Sequence, residues 1–462
     1  MGLGQRRPPR KVKPRAIRAP QTPVVSAPSG VAADSVQHDD SVLSLTIERL
    51  GHDGRGIARA PSGKTVFVDQ ALPGEQVDVR IHHQRGRFDE AHVIARTTSS
   101  PDRVEPACAH FGVCGGCALQ HLAPDAQLAH KRQVLIEHFE REGLSIDPQQ
   151  ALTSTPYGYR RRARLGVNVD RQGNRLLGYR RHRSDRVCGI TMCPVLAPAL
   201  ERLLQPLHAL IEQLEAPRQV GHIELLEADN ACCIVVRQLR DQPDDEALWT
   251  AFDDAHDVHV MFVRGKGEQA GLEGATDLSY QLDVADRSLT LGFQPGDFFQ
   301  VNRDVNRQLV STTLEWLAPR ADTAVLDLFA GVGNFSLGLA AMGAKVHALE
   351  GQQVMVERLL DNAQRNGLDG VTAATADLTR VPVQGDYHAV VLDPPRDGAR
   401  AVCEQLAKRP VSSIAYVSCN PATLARDAAQ LAKGGYRLAH AAVVDMFPQT
   451  AHLETLAVFE RR

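Results

Sequence analysis

Short runs of alternating apolar and polar residues fill the region between residues 42 and 96. Turns that contain glycine or proline separate these runs, and such alternation is typical of strands with one buried face. The predicted strands are Leu45–Leu50, Gly56–Arg59, Thr65–Val68, Gln76–Ile81 and Ala91–Ala95. Five short strands in succession predict a small β-barrel of the oligonucleotide-binding (OB) type over residues 41–98.

A second pattern begins near Phe293, where helical and strand-like segments alternate. Apolar residues recur at helical spacing from Val305 to Leu317, and apolar runs with helical segments between them follow. These runs predict strands at Ala324–Leu328, Lys345–Leu349, His388–Leu392 and Ile414–Val417. The alternation predicts a doubly wound, Rossmann-like α/β domain over residues 291–462.

The residues between these regions, 99–290, mix both patterns and predict a central α+β domain, with strands between Gln219 and Val263. A chain of 462 residues with 43% hydrophobic side chains has room for about three such domains. No run approaches the roughly 18 apolar residues of a membrane helix, and the N-terminus has no apolar signal core. We therefore expect a cytoplasmic protein that does not contact membranes.

Positive charge is unevenly distributed, although the net charge is only -3. The first 20 residues carry seven basic side chains, four prolines and no acid, which predicts a disordered basic arm over residues 1–40 that is either solvated or in contact with phosphates. Residues 157–186 carry two aspartates, three interleaved tyrosines and ten arginines: Arg160, Arg161, Arg162, Arg164, Arg171, Arg175, Arg180, Arg181, Arg183 and Arg186. Guanidinium forks and aromatic faces bind phosphates and unstacked bases, so this segment predicts a nucleic-acid surface.

Nine cysteines in a chain without an export signal are expected to be free thiols. Cys108, Cys114 and Cys117 share one glycine-containing loop with the spacing C-x5-C-x2-C. Exposed unligated thiols there would oxidise, so the spacing favours a metal site. With a fourth ligand from Cys188 or Cys193, the loop could hold a 4Fe-4S cluster or tetrahedral zinc, and the spacing does not separate these two. Cys193, which precedes a proline, is slightly favoured over Cys188.

A glycine-containing turn, DLFAGVGNF from Asp327 to Phe335, follows the first predicted strand of the α/β domain. Its glycines would let the backbone approach a ligand at the carboxyl edge of the sheet. Glu350 ends the next strand, where a carboxylate can accept hydrogen bonds from ribose hydroxyls, and Asp377 could reach an adenine. A dinucleotide is the competing ligand, but Ser336 replaces the third glycine of GxGxxG. S-adenosylmethionine, which needs no pyrophosphate clamp, fits this turn better.

Two polar turns end consecutive predicted strands, Asp393–Arg396 (DPPR) and Ser418–Pro421 (SCNP). Both strand ends face the cofactor crevice of a doubly wound sheet, which places the Cys419 thiol beside a methyl donor. A thiolate is useful there if the target is C5 of a pyrimidine, because its addition to C6 raises the electron density at C5. The C5 proton must then leave to a base, for which Glu454 and His452 are both candidates. The target nucleotide must also be flipped out of its stack.

Five motifs follow one another in the last third of the chain: FQPGDFFQVN (293–302), LDLFAGVGNF (326–335), LDPPR (392–396), YVSCNPATLARD (416–427) and MFPQTAHLE (446–454). Together they resemble the RNA 5-methyluridine methyltransferase family. The upstream barrel resembles a TRAM domain, and CAHFGVCGGC with the later Cys193-Pro194 resembles that family's 4Fe-4S ligands. The resemblance covers the chain except residues 1–40.

The resemblance implies that Cys419 is the nucleophile and that Glu454, rather than His452, is the base. It implies S-adenosylmethionine contacts from Gln300, Phe329, Asn334, Glu350, Asp377 and Asp393. It also implies a 4Fe-4S cluster held by Cys108, Cys114, Cys117 and Cys193. In this family the tRNA-modifying branch lacks the barrel and the cysteine cluster, whereas the branch acting on 23S rRNA has both, so the implied partner is 23S rRNA.

The leading hypothesis is therefore a monomeric uridine-C5 methyltransferase of 23S rRNA without an obligate protein partner. One alternative is the same chemistry on another 23S rRNA uridine or on tRNA. Two others are an enzyme whose cluster performs radical chemistry and a non-catalytic, metal-stapled RNA-binding protein. Four cysteine ligands would leave no open iron position, which disfavours the radical enzyme.

Overall fold

Strand pairing in the computed structural model arranges the chain into four β-sheets within the residues that the structure describes. These residues are 42–264, 268–271, 277–378 and 383–461. The predicted basic arm, residues 1–40, lies outside them.

The N-terminal sheet contains the barrel strands, whose alternate residues point into a small apolar core. Its members are β1 (Val42–Thr46), β2 (Arg49–Leu50), β3 (Gly56–Arg59), β4 (Thr65–Asp69), β5 (Gln76–Gln84) and β6 (Phe88–Thr98). Their order is β1-β5-β6-β4-β3-β2. The first predicted strand is divided, because β1 pairs with β5 whereas β2 pairs with β3.

The central region begins with a long helix and a short strand, α1 (Pro124–Arg141) and β7 (Gln150–Leu152). A sheet and its covering helices follow: β8 (Arg162–Val169), β9 (Arg175–Arg180), β10 (Val187–Gly189), α2 (Pro198–Glu201), α3 (Leu204–Ile211), a 3-10 helix (Pro217–Gln219), β11 (Val220–Glu227), β12 (Cys232–Gln238), α4 (Pro243–His256), β13 (His259–Arg264) and β14 (Glu268–Gly271). The strand order is β10-β9-β8-β11-β12-β13-β14. Helix α4 interrupts the region expected to be strand-like, because Pro243 and three acidic residues in its first turn favour a helix start.

A hairpin and the α/β elements complete the chain. Its members are β15 (Leu278–Val284), β16 (Arg287–Phe293), α5 (Arg303–Leu317), β17 (Ala324–Leu328), α6 (Ser336–Ala341), β18 (Lys345–Glu350), α7 (Gln353–Arg365), β19 (Val371–Thr375), β20 (Ala389–Leu392), α8 (Arg400–Leu406), β21 (Ser413–Ser418), α9 (Pro421–Lys433), β22 (Tyr436–Val444) and β23 (Glu454–Arg461). Strand β16 crosses the boundary expected at residue 290. Within the described ranges, every helix is too short or too polar to traverse a lipid bilayer.

The C-terminal sheet has the order β19-β18-β17-β20-β21-β23-β22-β7. Strands β17 to β21 run parallel, and the order reverses between β17 and β20, which is where doubly wound sheets bind ligands. Strand β23 is antiparallel to both of its neighbours. The edge strand β7 comes from the central region and pairs with β22, so the central and C-terminal regions share one sheet.

A buried hydrogen-bond network fixes the two turns that follow β20 and β21. The Tyr416 hydroxyl on β21 donates to Asp427 Oδ2 at 2.9 Å, and both residues are fully buried. The backbone N–H of Ala399, just before α8, donates to the same carboxylate oxygen at 2.8 Å. Arg426 pairs with the other oxygen of Asp427 at 2.7 Å. Helices α8 and α9 are thereby joined to the strand that leads to Cys419.

Replacement of Tyr416 by Phe should lower the free energy of unfolding by about 1–3 kcal/mol, because the buried Asp427 carboxylate loses a donor. Chemical denaturation measures this loss. Tyr436→Phe is the matched control, since the buried Tyr436 hydroxyl donates to main-chain carbonyls such as that of Val411 at 2.9 Å. The control should lose less free energy of unfolding. Equal losses in the two variants would show that the hydrogen bond to the Asp427 carboxylate is no stronger than one to a main-chain carbonyl.

Candidate active site

A cavity of about 720 Å³ opens at the carboxyl edge of the C-terminal sheet. Most of the predicted site residues line it: Gln300, Phe329, Glu350, Asp377, Asp393, Cys419 and Glu454. They come from the end of β18, from the turns after β17, β19, β20 and β21, from the start of β23 and from the segment before α5. The fold therefore gathers into one cavity residues that are far apart in the chain.

The turn after β17 has an unusual backbone. Phe329, Gly331 and Gly333 have positive φ angles of 65°, 55° and 99°, which are uncommon for a bulky residue such as phenylalanine. The Phe329 N–H donates to the carbonyl of Leu349 at 2.9 Å, which holds this conformation. The Gly331 N–H donates to Glu350 Oε2 at 3.1 Å. The turn and the Glu350 carboxylate are thus fixed against each other at the floor of the cavity.

Asn334 is the one predicted cofactor residue that does not line the cavity. Its side-chain oxygen accepts hydrogen bonds from the Tyr280 hydroxyl at 3.2 Å and from Asn306 Nδ2 at 3.0 Å. Its amide nitrogen donates to Asn306 Oδ1 at 2.9 Å. Asn334 therefore anchors the glycine turn to β15 and α5.

Strand register places Cys419 and Glu454 next to each other. Strands β21 and β23 are antiparallel neighbours, and Ser418 lies opposite Thr455. Cys419 follows Ser418 and Glu454 precedes Thr455, so both side chains leave the sheet at the same end. His452, the competing base, is exposed and does not line the cavity.

Burial raises the pKa of three carboxyl groups around this site. The pKa of Glu454 rises to about 8, and those of Asp327 and Asp393 to about 7. Burial also raises the pKa of the Cys419 thiol, Glu454 and Asp393 raise it further, and Arg396 opposes them. Negative charge is therefore costly here, and a cationic ligand would lower all four pKa values.

Several residues of the site were not singled out from the sequence. Arg396 and Met355 line the cavity, as does Phe298, whose side chain is 61% exposed. Its neighbour Phe299 is buried, so the two adjacent phenylalanines point to different environments. Asp327 lies behind the glycine turn, where its Oδ2 accepts a hydrogen bond from Ser336 Oγ at 2.5 Å.

The four cysteines assigned to a metal site lie around a second, small cavity. Cys108, Cys114, Cys117 and Cys193 all line it as free thiols. Burial raises the pKa of Cys114 and Cys117 to about 11 and that of Cys193 to about 12. Cys188 does not line this cavity. Cys193 therefore shares a cavity with the three loop cysteines, whereas Cys188 lies outside the lining but close enough to raise the pKa of Cys114.

Within the described residues, no three or more histidine, cysteine, aspartate or glutamate side chains are grouped so as to hold a metal ion. Tetrahedral zinc and a 4Fe-4S cluster can both take four cysteine ligands, and this finding does not separate them. A 4Fe-4S cluster has four irons, each bound by a different cysteine, so its ligands surround a larger volume. The four thiols supply the number of ligands that such a cluster needs, but the cavity between them holds only about 20 Å³.

A third cavity, of about 840 Å³, lies on the central sheet. Part of the predicted arginine surface lines it, namely Arg164, Arg180, Arg181 and Arg183, together with Gly115 and Gly116 of the cysteine loop. Other arginines of the segment are structural: Arg161 pairs with Asp229 at 2.6 Å, Arg162 with Glu224 at 2.8 Å, and Arg175 donates to the carbonyls of Ile211 and Leu214. Some arginines of the segment therefore stabilise the central domain, and others form a basic surface.

Comparison with known proteins gives two family matches. A family described as tRNA (Uracil-5-)-methyltransferase matches residues 123–381 and 376–462, and the TRAM domain matches residues 40–94. The chain is 50% identical to the 23S rRNA (uracil(1939)-C(5))-methyltransferase RlmD of Chromohalobacter salexigens, a similarity that covers 99% of this chain and 95% of that protein. It is 47% identical to the RlmD of Halomonas elongata over 99% of this chain and 96% of that protein.

The fold is similar to that of Pyrococcus abyssi tRNA (uracil-54, C5)-methyltransferase, solved in complex with S-adenosyl-L-homocysteine. The TM-score is 0.72 at 24% identity, and the similarity covers 90% of this chain and all of that chain. The predicted TRAM barrel and methyltransferase fold are confirmed. A tRNA enzyme thus shares most of the architecture of this chain. From the sequence we expect the barrel to be absent from tRNA enzymes, but the fold alone does not separate enzymes of tRNA from enzymes of 23S rRNA.

The site is that of a methyltransferase, and both its motifs and its relatives are specific for the C5 position of uracil. The chain belongs to the family of RNA uracil-C5 methyltransferases.

Proposed function

We propose that this protein methylates C5 of a uridine in 23S rRNA through a covalent bond between Cys419 and C6. The observation that carries the proposal is the juxtaposition of Cys419 and Glu454 in one cavity with the glycine turn and Glu350. The choice of 23S rRNA over tRNA rests on relatives 47–50% identical over nearly the whole chain, whose names specify uracil 1939 of that RNA.

S-adenosylmethionine, when bound, supplies a methyl group activated on a positively charged sulfonium. Gln300, Phe329, Glu350, Asp377 and Asp393 would hold it, since all five line the cavity. Glu350 ends β18, where a carboxylate accepts hydrogen bonds from a ribose. The raised pKa values of Asp327, Asp393 and Glu454 favour a cationic ligand in this place.

Cys419 begins the reaction as a thiolate that adds to C6 of the uracil ring. The sulfur–carbon bond forms as the electrons of the C5–C6 double bond move toward C5 and O4. C5 would then bond to the methyl group, and the electrons of the broken methyl–sulfur bond would stay on the sulfur of the donor. Arg396 lines the same cavity and lowers the pKa of Cys419, so it favours the thiolate.

Glu454 completes the reaction as a carboxylate that removes the proton from C5. The electrons of the broken carbon–hydrogen bond restore the C5–C6 double bond, and the sulfur–carbon bond breaks to release the Cys419 thiolate. Lys131 and Arg396 lower the pKa of Glu454, opposing its burial, so both favour the ionised base.

The uridine must leave its base stack to reach Cys419. Phe298 offers an exposed aromatic face at the cavity for a nucleobase to stack on. The basic cavity on the central sheet is suited to the phosphates of the flanking strand. The Arg164 and Arg180 side chains there are exposed and would contribute charge for backbone contacts, in exchange for their present ion pairs with Glu224 at 3.5 Å and Asp185 at 2.9 Å.

We also propose that Cys108, Cys114, Cys117 and Cys193 hold a 4Fe-4S cluster. A cluster bound by four cysteines cross-links the loop of residues 108–117 to the segment after β10 and so has a structural role. The four thiols facing one cavity support this assignment. Iron bonds would replace the thiol protons of Cys114, Cys117 and Cys193, whose pKa values burial raises.

Methylation of purified 23S rRNA with labelled S-adenosylmethionine tests the function. Wild-type protein should methylate one uridine of 23S rRNA isolated from cells that lack the modification and should leave tRNA unlabelled. Cys419→Ala should lower the rate by about 1,000-fold or more, because addition to C6 is lost. Glu454→Gln should lower turnover by about 100- to 10,000-fold and accumulate protein–RNA adduct.

Cys232→Ala is the control for these variants, since this half-buried thiol lies on β12 and outside the three cavities described above. It should retain wild-type methylation. Full activity of Cys419→Ala would refute the covalent mechanism, and labelling of tRNA instead of 23S rRNA would refute the substrate.

The pH dependence of kcat should show an ascending limb near pH 8, because Glu454 acts only when it is ionised and its pKa is about 8. Arg396→Met should move this limb to higher pH, because Arg396 lowers the pKa of both Glu454 and Cys419. Arg400→Met, at an exposed arginine four positions later, is the control and should leave the profile unchanged. A profile that does not change through the neutral and mildly alkaline range would contradict these assignments.

Substitution of the alternative cysteines tests the fourth ligand of the cluster. Cys193→Ala should lose bound iron and the broad absorbance near about 400 nm that iron–sulfur charge transfer gives. Cys188→Ala, the matched control five residues earlier, should retain both. Loss of iron from the Cys188 variant alone would reverse the assignment, and a zinc-loaded wild-type protein would contradict the cluster.

A further inference from the structure

The segment that delivers Glu454 to the active site, residues 446–453 between β22 and β23, is largely buried although it has no regular structure. Buried backbone groups need hydrogen-bond partners, and a connection between strands cannot supply all of them itself. Its centre, Gln449, is 2% exposed and has a φ of 68°, a conformation unusual for a residue other than glycine. Contacts from outside the segment must therefore hold this conformation.

Gln127 of helix α1 forms a reciprocal pair with Gln449. Gln127 Nε2 donates to Gln449 Oε1 at 3.0 Å, and Gln127 Oε1 accepts from the Gln449 N–H at 3.1 Å. The Gln449 carbonyl accepts the N–H groups of Ala118 and Leu119, both at 3.0 Å. The side-chain oxygen, N–H and carbonyl of Gln449 are therefore all bound by residues more than 300 positions earlier in the chain.

The same Gln127 amide also binds the chain that follows the cysteine loop. Its Nε2 lies 3.0 Å from the Leu119 carbonyl and 2.8 Å from that of Leu122. Leu119 is only two residues after Cys117. One buried side chain thus joins the end of the cysteine loop to the segment that carries the base.

Two more buried side chains hold the neighbouring residues of the segment. Lys131, one turn after Gln127 on α1, pairs with Asp445 at 2.6 Å and donates to the Phe447 carbonyl at 3.2 Å. The Tyr159 hydroxyl donates to the Pro448 carbonyl at 2.9 Å. The segment is therefore clamped along its first half, and Gln127 contacts it at the residue with the left-handed backbone.

We propose that Gln127 is a positioning residue for proton abstraction, which holds Glu454 in place through Gln449 and couples the cysteine loop to the active site. The inference rests on the proposed roles of Cys419 and Glu454. Glu454 is the first residue of β23, so it responds first when the preceding segment relaxes. Cys419 lies in the turn between β21 and α9. The side-chain hydrogen bonds of Gln127 go to Leu119, Leu122 and Gln449 and not to this turn, so we expect addition of Cys419 to C6 to be independent of the clamp.

Gln127→Leu in the full-length, cluster-containing protein separates the two steps. Release of tritium from RNA labelled at uridine C5 reports removal of the C5 proton. Formation of a covalent adduct with 5-fluorouridine RNA reports addition and methyl transfer alone, because fluorine cannot leave as a proton. We expect tritium release to fall about 10- to 100-fold, as expected when a catalytic group is displaced by a fraction of an ångström or more. The rate of adduct formation should remain that of wild-type.

Gln133→Leu is the matched control, because Gln133 lies on the same helix but is exposed, with Glu137 as its side-chain partner at 3.4 Å. It should leave both rates unchanged. Equal slowing of tritium release and adduct formation in Gln127→Leu, or no slowing of either, would overturn the positioning role. Failure of the wild-type protein to form the adduct would instead refute the covalent mechanism.

Hydrogen exchange provides a readout independent of activity. The N–H groups of Ala118, Leu119 and Gln449 should exchange faster in Gln127→Leu than in wild-type, and unchanged exchange would overturn the clamp. Gln449→Asn is a second variant, since asparagine tolerates a positive φ but is too short to keep the amide pair. It should show the same selective loss of tritium release even if Gln127→Leu fails to fold.

Discussion

The pairing of β21 with β23 is the constraint on which the active site depends. Ser418 and Thr455 face each other across two antiparallel strands, and the residues just beyond them are Cys419 and Glu454. A shift of this register by one residue would send Glu454 to the other face of the sheet and separate the base from the thiol. The apolar side chains of both strands prevent such a shift, because β21 and β23 are buried on both faces along nearly their whole length.

Charge gives the site its preference for ligands. Glu454, Asp393 and Asp327 are carboxyl groups with raised pKa values in a buried setting, and Arg396 and Lys131 compensate only part of their charge. A sulfonium compound supplies the missing positive charge, whereas a neutral or anionic ligand would not. Binding of the methyl donor and ionisation of the base are therefore expected to favour each other.

The central region holds the segment that leads to Glu454, although it contains neither Glu454 nor Cys419. Strand β7 extends the catalytic sheet, and helix α1 packs beside β22 and α9. Through Gln127, Lys131 and Tyr159, this region holds the segment that precedes Glu454. The chain that follows the cysteine loop is attached to the same helix, because the carbonyls of Leu119 and Leu122 accept hydrogen bonds from Gln127.

Local patterns in the sequence were sufficient for the parts of the molecule that are determined by neighbouring residues. Strand β17 has the predicted bounds, Ala324–Leu328. Its apolar run and the glycine turn that follows it are both visible within a few neighbouring residues. Cys419, Glu350 and Asp393 could be located because strand ends of a doubly wound sheet meet at one edge. The apolar–polar alternation between Gln219 and Val263 predicts only strands there, whereas the structure has helix α4 from Pro243.

Only the tertiary structure decided which partner each polar side chain has. Asn334 binds Asn306 instead of lining the cavity. Arg161 lies in the arginine-rich segment, but its guanidinium group pairs with Asp229. Gln127 and Gln449 are separated by 322 positions, and neither carries a local signal. Hydrophobic periodicity reports which face of an element is buried, but a hydrogen bond between remote residues exists only once the packing has brought them together.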